Sequence, residues 1–371
     1  MSRFIRKLHL RNLLSFDDCE VELRDLNVLI GPNGAGKSNL IEAIGLLRSL
    51  VFNFDAYLQQ GGGAAAWIWK GKPVEGALME TILDGGTHGE LRHSFGLDAT
   101  VAGLRREELH SIPENSNVFK REGGQLWFMG VASAYTSTES VFRRYKNPSD
   151  PGPTTGIGQN LESIRIYREF RTGKNEPLRT GFAGHEGARL EEGGQNLALV
   201  LHELDASKRL EAVKELLGEL NASYGLVKPR FKNGAWIVQL EEEGLLDAIP
   251  SQRISDGTLK FLCLAALLLD PQPPPLICLE EPEVGLHPDA MRVVARLLSE
   301  ASERTQLVVT THSVELVNEF SPTPEAVIVT EKGSSQSTRF DRLERKQLRS
   351  WLKRYQLGEL WQKGELGGNR W

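Results

Sequence analysis

A glycine-rich stretch between a strand-like run and a helix-like run carries the residues best suited to bind phosphate. Its residues are Gly31, Pro32, Asn33, Gly34, Ala35, Gly36, Lys37 and Ser38, here called the phosphate loop. They fit the pattern G-x-x-x-x-G-K-[ST], in which backbone N–H groups and a helix N-terminus surround a phosphate chain. The pattern predicts that Lys37 contacts the β- and γ-phosphates and that Ser38 ligates Mg²⁺. We therefore expect a bound nucleoside triphosphate.

Two acidic residues follow an apolar run later in the chain. The segment "PPPLICLEEPEVGLHP" (273–288) places Glu280 and Glu281 at the end of such a run. We interpret Glu280 as a residue that holds Mg²⁺, through water, and Glu281 as the base that orients and deprotonates the attacking water. A solvated acidic loop is the alternative. The apolar run that ends in the acidic pair favours the catalytic interpretation.

A histidine and a helix start complete the set of candidate residues. His312 ends the run "QLVVTTH", where an imidazole can contact a γ-phosphate, although a lone histidine in that position is more often structural. Ser255, Asp256 and Gly257 begin an apolar helix, where a hydroxyl, N–H groups and the helix dipole can hold a γ-phosphate. A capped, buried helix is the alternative for this segment. The order of the segments along the chain favours the functional interpretation of both.

The elements around these residues follow from the hydrophobic pattern. Short alternating runs before Gly31 predict two or three strands, and a helix is expected from about 37 to 50. Glycine-broken strand-like pieces over 61–130 indicate a β-rich insertion, and the composition of 145–160 predicts a loop. Helix, strand, helix and strand then alternate over 257–312, which is typical of a mainly parallel sheet covered by helices.

Composition limits the class of protein. The 371 residues carry a net charge of −5, so nucleic-acid binding would need a local basic patch. Three scattered cysteines predict buried thiols of a cytoplasmic protein, and no apolar run is long enough to span a membrane. The basic segment 342–356, "RLERKQLRSWLKRYQ", is either a DNA-facing helix or a packing helix with a solvated basic face.

The order of these segments resembles the ABC-class ATPase heads of the SMC/RecF/OLD branch, in particular its small stand-alone ATPases. "LHLRNLLSFDDCEVEL", "ISDGTLKFLCLAALL", "LEEPEVGLHP", "TTHSVELV" and the tail "YQLGELWQKGELGG" carry the resemblance, which is strongest over 3–45 and 190–330. It implies an α/β P-loop NTPase with a mainly parallel sheet, helices on both faces, an N-terminal antiparallel part, a β-rich insertion and a helical lobe. A long coiled coil is absent.

The resemblance also implies a composite site. Two heads would enclose two ATP molecules with Mg²⁺, and each site would combine residues 31–39, including Asn39, with Glu280, Glu281 and His312 of one chain. The other chain would supply residues 255–257, here called the signature segment. Arg11 matches a family position near the γ-phosphate. The family pattern usually has Asp at the position of Glu280, and Gln59 and Gln60 are only candidates for its Q-loop glutamine.

The same resemblance divides the chain into parts of one head. These are a hairpin and phosphate loop (1–50), a mainly β-rich insertion (51–190), a helical lobe (191–270), the acidic and histidine strands (271–335) and a helical tail (336–371). His287 is expected only near the dimer interface.

Two functions remain open from the sequence. The first is a slow ATPase that dimerises with ATP and acts on DNA in repair or in defence against mobile elements. The second is a regulatory ATPase that controls a separate effector protein, for example a nuclease, without binding DNA. About 40 residues follow the last core strand, and we expect them to be too few for a nuclease domain, which takes roughly a hundred.

Overall fold

The computed structural model describes residues 3–98, 103–145, 149, 152–184, 189–333 and 335–367. The strands of this part of the chain are β1 (Ile5–Leu13), β2 (Phe16–Glu22), β3 (Leu26–Ile30), β4 (Gly76–Asp84), β5 (Glu90–Asp98), β6 (Leu104–Ser111), β7 (Ser116–Glu122), β8 (Gln125–Phe128), β9 (Val131–Ala134), β10 (Arg165–Tyr167), β11 (Tyr224–Lys232), β12 (Ala235–Glu242), β13 (Ile249–Pro250), β14 (Leu276–Glu280), β15 (Gln306–Thr310), β16 (Val327–Lys332) and β17 (Thr338–Arg342).

The helices are α1 (Lys37–Ser49), α2 (Phe54–Gln60), α3 (Ala64–Trp67), α4 (Val141–Arg144), α5 (Pro153–Ser163), α6 (Pro177–Thr180), α7 (Leu197–Ala206), α8 (Leu210–Leu220), α9 (Asp256–Leu268), α10 (Met291–Ser302), α11 (Val314–Glu319), α12 (Arg345–Leu348) and α13 (Leu357–Gln362). Short 3₁₀ turns cover Gly86–His88, Pro288–Ala290 and Pro324–Ala326. Within the described residues, no helix has the length and apolar character needed to cross a bilayer.

A six-stranded sheet in the order β10-β14-β15-β3-β16-β17 forms the centre of the fold. Its first five strands are parallel, and β17 pairs antiparallel with β16 at the edge. Every residue of β3 and β15 is buried. Strands buried on both faces need cover on both sides. The sequences LNVLI and QLVVT therefore suit the interior of such a sheet.

Neighbouring residues of these strands enter different cores. Leu307 and Val309 of β15 pack into a core with α7 to α10, whereas Val308 packs into a core with α1 and the N-terminal strands. The alternation follows from the two-residue period of a strand. Helices thus cover one face, and α1 with a second sheet covers the other. The predicted fold class is confirmed.

The second sheet is antiparallel and joins the N-terminal hairpin to the insertion, in the order β2-β1-β4-β5-β6-β7-β8-β9. A small third sheet, β11-β12-β13, lies in the lobe between α8 and α9. Among the described residues of 51–190, the strands that join the second sheet lie between 76 and 134, and β10 instead pairs with β14 of the central sheet.

Two local predictions differ from the structure. The loop expected over 145–160 is wrong in its second half, because α5 begins at Pro153, with proline in the first turn, and buries Ile157 and Leu161. Pro fits the first helical turn, where its missing N–H costs nothing. The tail is not purely helical, since β17 opens it, and residues 368–371 lie outside the described residues.

The predicted burial of the thiols of Cys19, Cys263 and Cys278 is confirmed.

Candidate active site

The carboxyl ends of three adjacent parallel strands bring the candidate residues to one edge of the central sheet. Glu280 at the end of β14 is in register with Thr310 of β15, and Thr310 is in register with Leu29 of β3. The phosphate loop follows β3 directly, and His312 lies two residues after β15. The structure therefore assembles the phosphate loop, the acidic pair and His312, although they are far apart in sequence.

The phosphate loop can turn sharply because glycine occupies the two positions where its backbone comes closest to neighbouring residues. Gly31 has a φ of 148°, and a Cβ there would lie 2.2 Å from the carbonyl oxygen of Thr330. Gly36 has a φ of 111°, and a Cβ would lie 2.2 Å from Thr338 Oγ1. The Thr338 hydroxyl donates a hydrogen bond to the Ala35 carbonyl at 2.7 Å. The ends of β16 and β17 thus hold the loop from behind.

Lys37 is a buried cation that contacts the loop itself. Its side chain is 6% exposed, and Nζ donates hydrogen bonds to the carbonyl oxygens of Gly31 at 2.7 Å and Pro32 at 3.1 Å. Burial lowers the pKa of Lys37 to about 8, although Glu281 and Glu283 oppose the shift. A nearby anion stabilises a buried cation. The loop is therefore electrostatically prepared for a phosphate chain.

This pKa predicts a pH dependence of ATP binding. Below pH 8 the free loop already carries charged Lys37, but above it Lys37 must take up a proton when the triphosphate binds, because the triphosphate raises its pKa. The affinity for ATP should then fall by up to about tenfold per pH unit above pH 8. Titration calorimetry at pH 7, 8 and 9 in buffers of different ionisation enthalpy measures both the affinity and the proton uptake.

The matched control for this experiment is Lys37→Arg, whose guanidinium stays charged throughout this range. It should bind ATP without proton uptake at any of the three pH values. Binding of ATP by the unsubstituted protein at pH 9 with no proton uptake would contradict the prediction.

Glu280 lies beside an arginine that the sequence analysis did not identify. Arg168 directly follows β10, and its guanidinium nitrogens lie 2.7 Å from Glu42 Oε1 and 3.8 Å from Glu280 Oε1. Burial raises the pKa of Glu280, and Arg168 opposes that shift. A three-residue strand gives almost no sequence signal, and its pairing with β14 is a tertiary contact. The place of Arg168 beside Glu280 could therefore not be predicted from the sequence.

Glu281 has an unusual backbone and faces His312. Its φ of 45° lies in the left-handed region, and its N–H donates to the Thr310 carbonyl at 3.0 Å. Strained backbone of this kind concentrates at functional sites. The Oε1 atom of Glu281 lies 3.6 Å from His312 Nε2. Burial lowers the pKa of His312, Lys37 lowers it further, and Glu281 opposes them. The site thus pairs a carboxylate with an imidazole that favours its neutral form.

Glu283, the third acid of the segment, fixes the loop that carries His312. Its Oε1 accepts hydrogen bonds from the Thr311 hydroxyl and the His312 N–H, both at 2.7 Å, and from the Ser313 N–H at 3.2 Å. Burial raises the pKa of Glu283, and these hydrogen bonds oppose the shift. No role for Glu283 was predicted from the sequence, although its place three residues after Glu280 was a usable signal.

The signature segment lies at the start of α9 and contacts residues other than the phosphate loop. Ser255 Oγ accepts the Thr258 N–H at 3.1 Å, which is the N-cap of the alternative interpretation. Asp256 pairs with Arg179, and a Cβ at Gly257 would lie 2.8 Å from the Gly285 carbonyl. Among the described residues, no recorded contact joins this segment to the phosphate loop of the same chain.

No contact between Arg11 and the phosphate loop is found among the described residues. Arg11 lies on the exposed face of β1, with Nε 3.7 Å from Asp18 Oδ2. Gln59 and Gln60 are exposed at the end of α2, and His287 is exposed in the loop before α10. The placement of Arg11 gives no support to its proposed contact with a γ-phosphate of the same chain.

The side chains at the sheet edge fit a magnesium ion. Mg²⁺ prefers oxygen ligands. Ser38 is exposed in the first turn of α1, and the half-buried carboxylate of Glu280 has its nearest described cation 3.8 Å away. A hydroxyl and a carboxylate oxygen are therefore free to ligate a cation beside the phosphate loop.

Comparison with known proteins places this geometry in a family. A family model described as "AAA domain, putative AbiEii toxin, Type IV TA system" matches residues 26–318, from β3 through α11. The chain belongs to this family. The match includes the phosphate loop, the signature segment, the acidic pair and His312, so all the assembled candidate residues lie within the family's domain.

The chain is also similar to individual proteins of the RecF type. The chain is 26% identical over 261 residues to the DNA replication and repair protein RecF of Paenarthrobacter aurescens, covering 66% of this chain and 59% of that protein. It is 29% identical over 136 residues to RecF of Synechocystis, covering 35% and 29%. The chain thus spans about three fifths or less of the length of these relatives.

Solved structures support the fold. A structure of the Smc head bound to the C-winged helix domain of ScpA has a TM-score of 0.57 at 14% identity, covering 93% of this chain and 99% of that one. The Smc head with an extended coiled coil and the ScpA C-terminal domain, derived from Pyrococcus furiosus, has a TM-score of 0.57 at 15% identity, covering 94% and 98%. The predicted resemblance to an ABC-type ATPase of the SMC/RecF branch is confirmed.

Proposed function

We propose that the protein hydrolyses ATP with Mg²⁺ in sites completed by a second copy of the chain, and that this cycle acts on DNA. The observation that supports this most is the assembly of the phosphate loop, Glu281 and His312 at one sheet edge. The ATP phosphates would lie along the loop N–H groups, with Lys37 leaving its carbonyl contacts for the β- and γ-phosphates.

The chain's own residues would divide the chemistry among them. Ser38 and Glu280 would hold Mg²⁺, which supplies positive charge to the phosphate oxygens. Glu281 would accept the proton of the attacking water, and a neutral His312 would contact the γ-phosphate. Glu283 would keep His312 in place through its hydrogen bonds. Ser255 of the second copy would contact the same γ-phosphate, because it has no contact with the phosphate loop of its own chain.

Two observations support DNA as the material on which the cycle acts. The relatives named above are DNA replication and repair proteins. The tail also has an exposed basic surface, although Leu348 packs into the core. The exposed cations of this surface include Lys346, Arg349, Lys353 and Arg354.

The purified protein should hydrolyse ATP slowly in Mg²⁺, bind duplex DNA in a salt-dependent manner and leave it uncut. The measurements are phosphate release and DNA binding at 50 and 200 mM salt, with the quadruple alanine variant of the basic surface as the control. If ATP is hydrolysed but DNA binding is absent at low salt, the cycle instead controls a separate effector protein. If phosphate release is absent, or unchanged in Lys37→Ala, the proposed ATPase function is wrong.

A further inference from the structure

The loop before α9 is held from behind by a buried arginine. Arg179, in α6, is 8% exposed. Its NH1 donates hydrogen bonds to the carbonyl oxygens of Ser251 and Ile254, each at 2.8 Å. Its Nε donates to the Thr172 carbonyl at 2.6 Å, and NH2 contacts the Asp256 carboxylate. NH1 and NH2 therefore hold the stretch from Ser251 to Asp256, while Nε ties the same guanidinium to Thr172.

The contact runs in both directions. The hydroxyl of Ser251, 1% exposed, donates a hydrogen bond to the Arg179 carbonyl at 2.7 Å. Ser255 lies between Ile254, whose carbonyl Arg179 binds, and Asp256, whose carboxylate Arg179 binds. The same guanidinium thus binds the backbone of the residue before Ser255 and the side chain of the residue after it.

Asp256 has a different environment from the one that the sequence analysis assigned to it. Its pKa is lowered chiefly by the hydrogen bond from Arg179, so it stays ionised and acts as an acceptor for that guanidinium. A charged residue bound in this way anchors the loop. Its carboxylate would also repel a γ-phosphate, which disfavours direct nucleotide contact.

The other end of the same helix provides a comparison. Arg304 donates hydrogen bonds to the carbonyls of Leu268 and Asp270 at the end of α9. Because α9 has 13 residues, this end lies about 18 Å from the first turn along the helix axis. Both arginines satisfy carbonyl groups that would otherwise lose their partners. Arg179 is the one whose contacts surround Ser255, so its replacement should displace Ser255, whereas that of Arg304 should affect only the helix end.

We infer that Arg179 is a positioning residue for Ser255, and that it decides whether a head can complete the site of its partner. This inference rests on the proposed composite site. Arg179 makes no recorded contact with the phosphate loop among the described residues, so binding of ATP to its own head does not depend on it. A misplacement of about 1 Å can cost about 100-fold in rate.

The test uses Arg179→Lys, which keeps the charge but loses the planar fork that binds several acceptors at once. It should bind ATP as the unsubstituted protein does and hydrolyse it at least about tenfold more slowly. Arg304→Lys should hydrolyse at a rate close to normal. Asp256→Asn is a second variant that weakens the same anchor without changing Arg179, in case Arg179→Lys fails to fold.

Mixed dimers distinguish positioning from a general loss of structure. Arg179→Lys chains, which are slow alone, mixed with Lys37→Ala chains, which are inactive alone, should hydrolyse ATP faster than either chain by itself, because the intact phosphate loop of one then meets the intact signature segment of the other. Mixtures of Arg179→Lys with Ser255→Arg should stay inactive, since both chains lack a working signature segment.

Three results would overturn the inference. The first is normal hydrolysis by Arg179→Lys, and the second is loss of ATP binding by this variant. The third is that the mixture of Arg179→Lys with Lys37→Ala stays inactive although the mixture of Ser255→Arg with Lys37→Ala regains activity. If that last mixture also fails, the composite site itself is wrong, and the proposed function fails with it.

Discussion

Glu281→Gln should bind ATP with normal affinity and lose most of its hydrolysis, by roughly 10²–10⁴-fold. The amide has nearly the shape of the carboxylate but cannot accept the proton of the attacking water. Glu281 is the half-buried partner of His312 at the sheet edge, with Oε1 3.6 Å from Nε2, and glutamine fills the same space, so the replacement removes a base without opening a cavity. Single-turnover hydrolysis and equilibrium binding of ATP, measured on the same preparation, separate the two effects.

Glu303→Gln is a matched control, because this exposed glutamate lies at the end of α10 and makes the same change in charge. Its turnover should be unchanged. Near-normal turnover by Glu281→Gln would remove Glu281 from the role of base. Loss of ATP binding in that variant would show instead that the carboxylate supports the nucleotide site.

The central sheet could be predicted because its strands carry their own signal. β3, β14 and β15 are five-residue strands made mostly of apolar residues, and the residues with chemical function lie at or just after their carboxyl ends. In a parallel sheet all these ends lie at one edge, where ligands bind. The resemblance implied that Lys37, Glu280 and His312 belong to one site, and the parallel topology gives the physical reason why they lie at the same edge.

The supporting residues could not be predicted, because each acts through a tertiary contact. Arg168 follows a strand of three residues that is recognisable only from its pairing with β14. Arg179 lies in a four-residue helix, and its partners in the loop before α9 are more than 70 residues away in sequence. The contact of Arg11 with a γ-phosphate, which the resemblance implies, stays a prediction. Strand alternation places the Arg11 side chain on the exposed face of β1.

The structure separates two kinds of residue in the proposed cycle. The phosphate loop, Glu281 and His312 are joined by contacts and charge interactions within one chain. Ser255 lies at the start of α9 and is exposed. A head alone could therefore bind ATP while lacking one ligand of the γ-phosphate. Binding and hydrolysis should then respond differently to protein concentration, because only hydrolysis needs the second copy.

The oligomeric state should follow directly from this arrangement. ATP added to Glu281→Gln should shift the protein from monomer toward dimer, because the bound triphosphate survives and links two heads. Introducing Ser255→Arg into that variant should abolish the shift, since the long side chain of an arginine at the exposed N-cap would push the partner's site away. Binding of ATP to the single head should remain. Light scattering with and without ATP, over a range of protein concentrations, measures the shift.

Ala206→Arg in the same Glu281→Gln background is the control for this last experiment. Ala206 is exposed at the end of α7 in the same lobe, so an arginine there adds the same bulk and charge away from the proposed interface. This control should dimerise with ATP as Glu281→Gln does. If the variant with Ser255→Arg dimerised as strongly as Glu281→Gln alone, the interface would lie elsewhere, because a large cation at the centre of a composite site should weaken the dimer. Monomers at every ATP and protein concentration would argue against the composite site altogether.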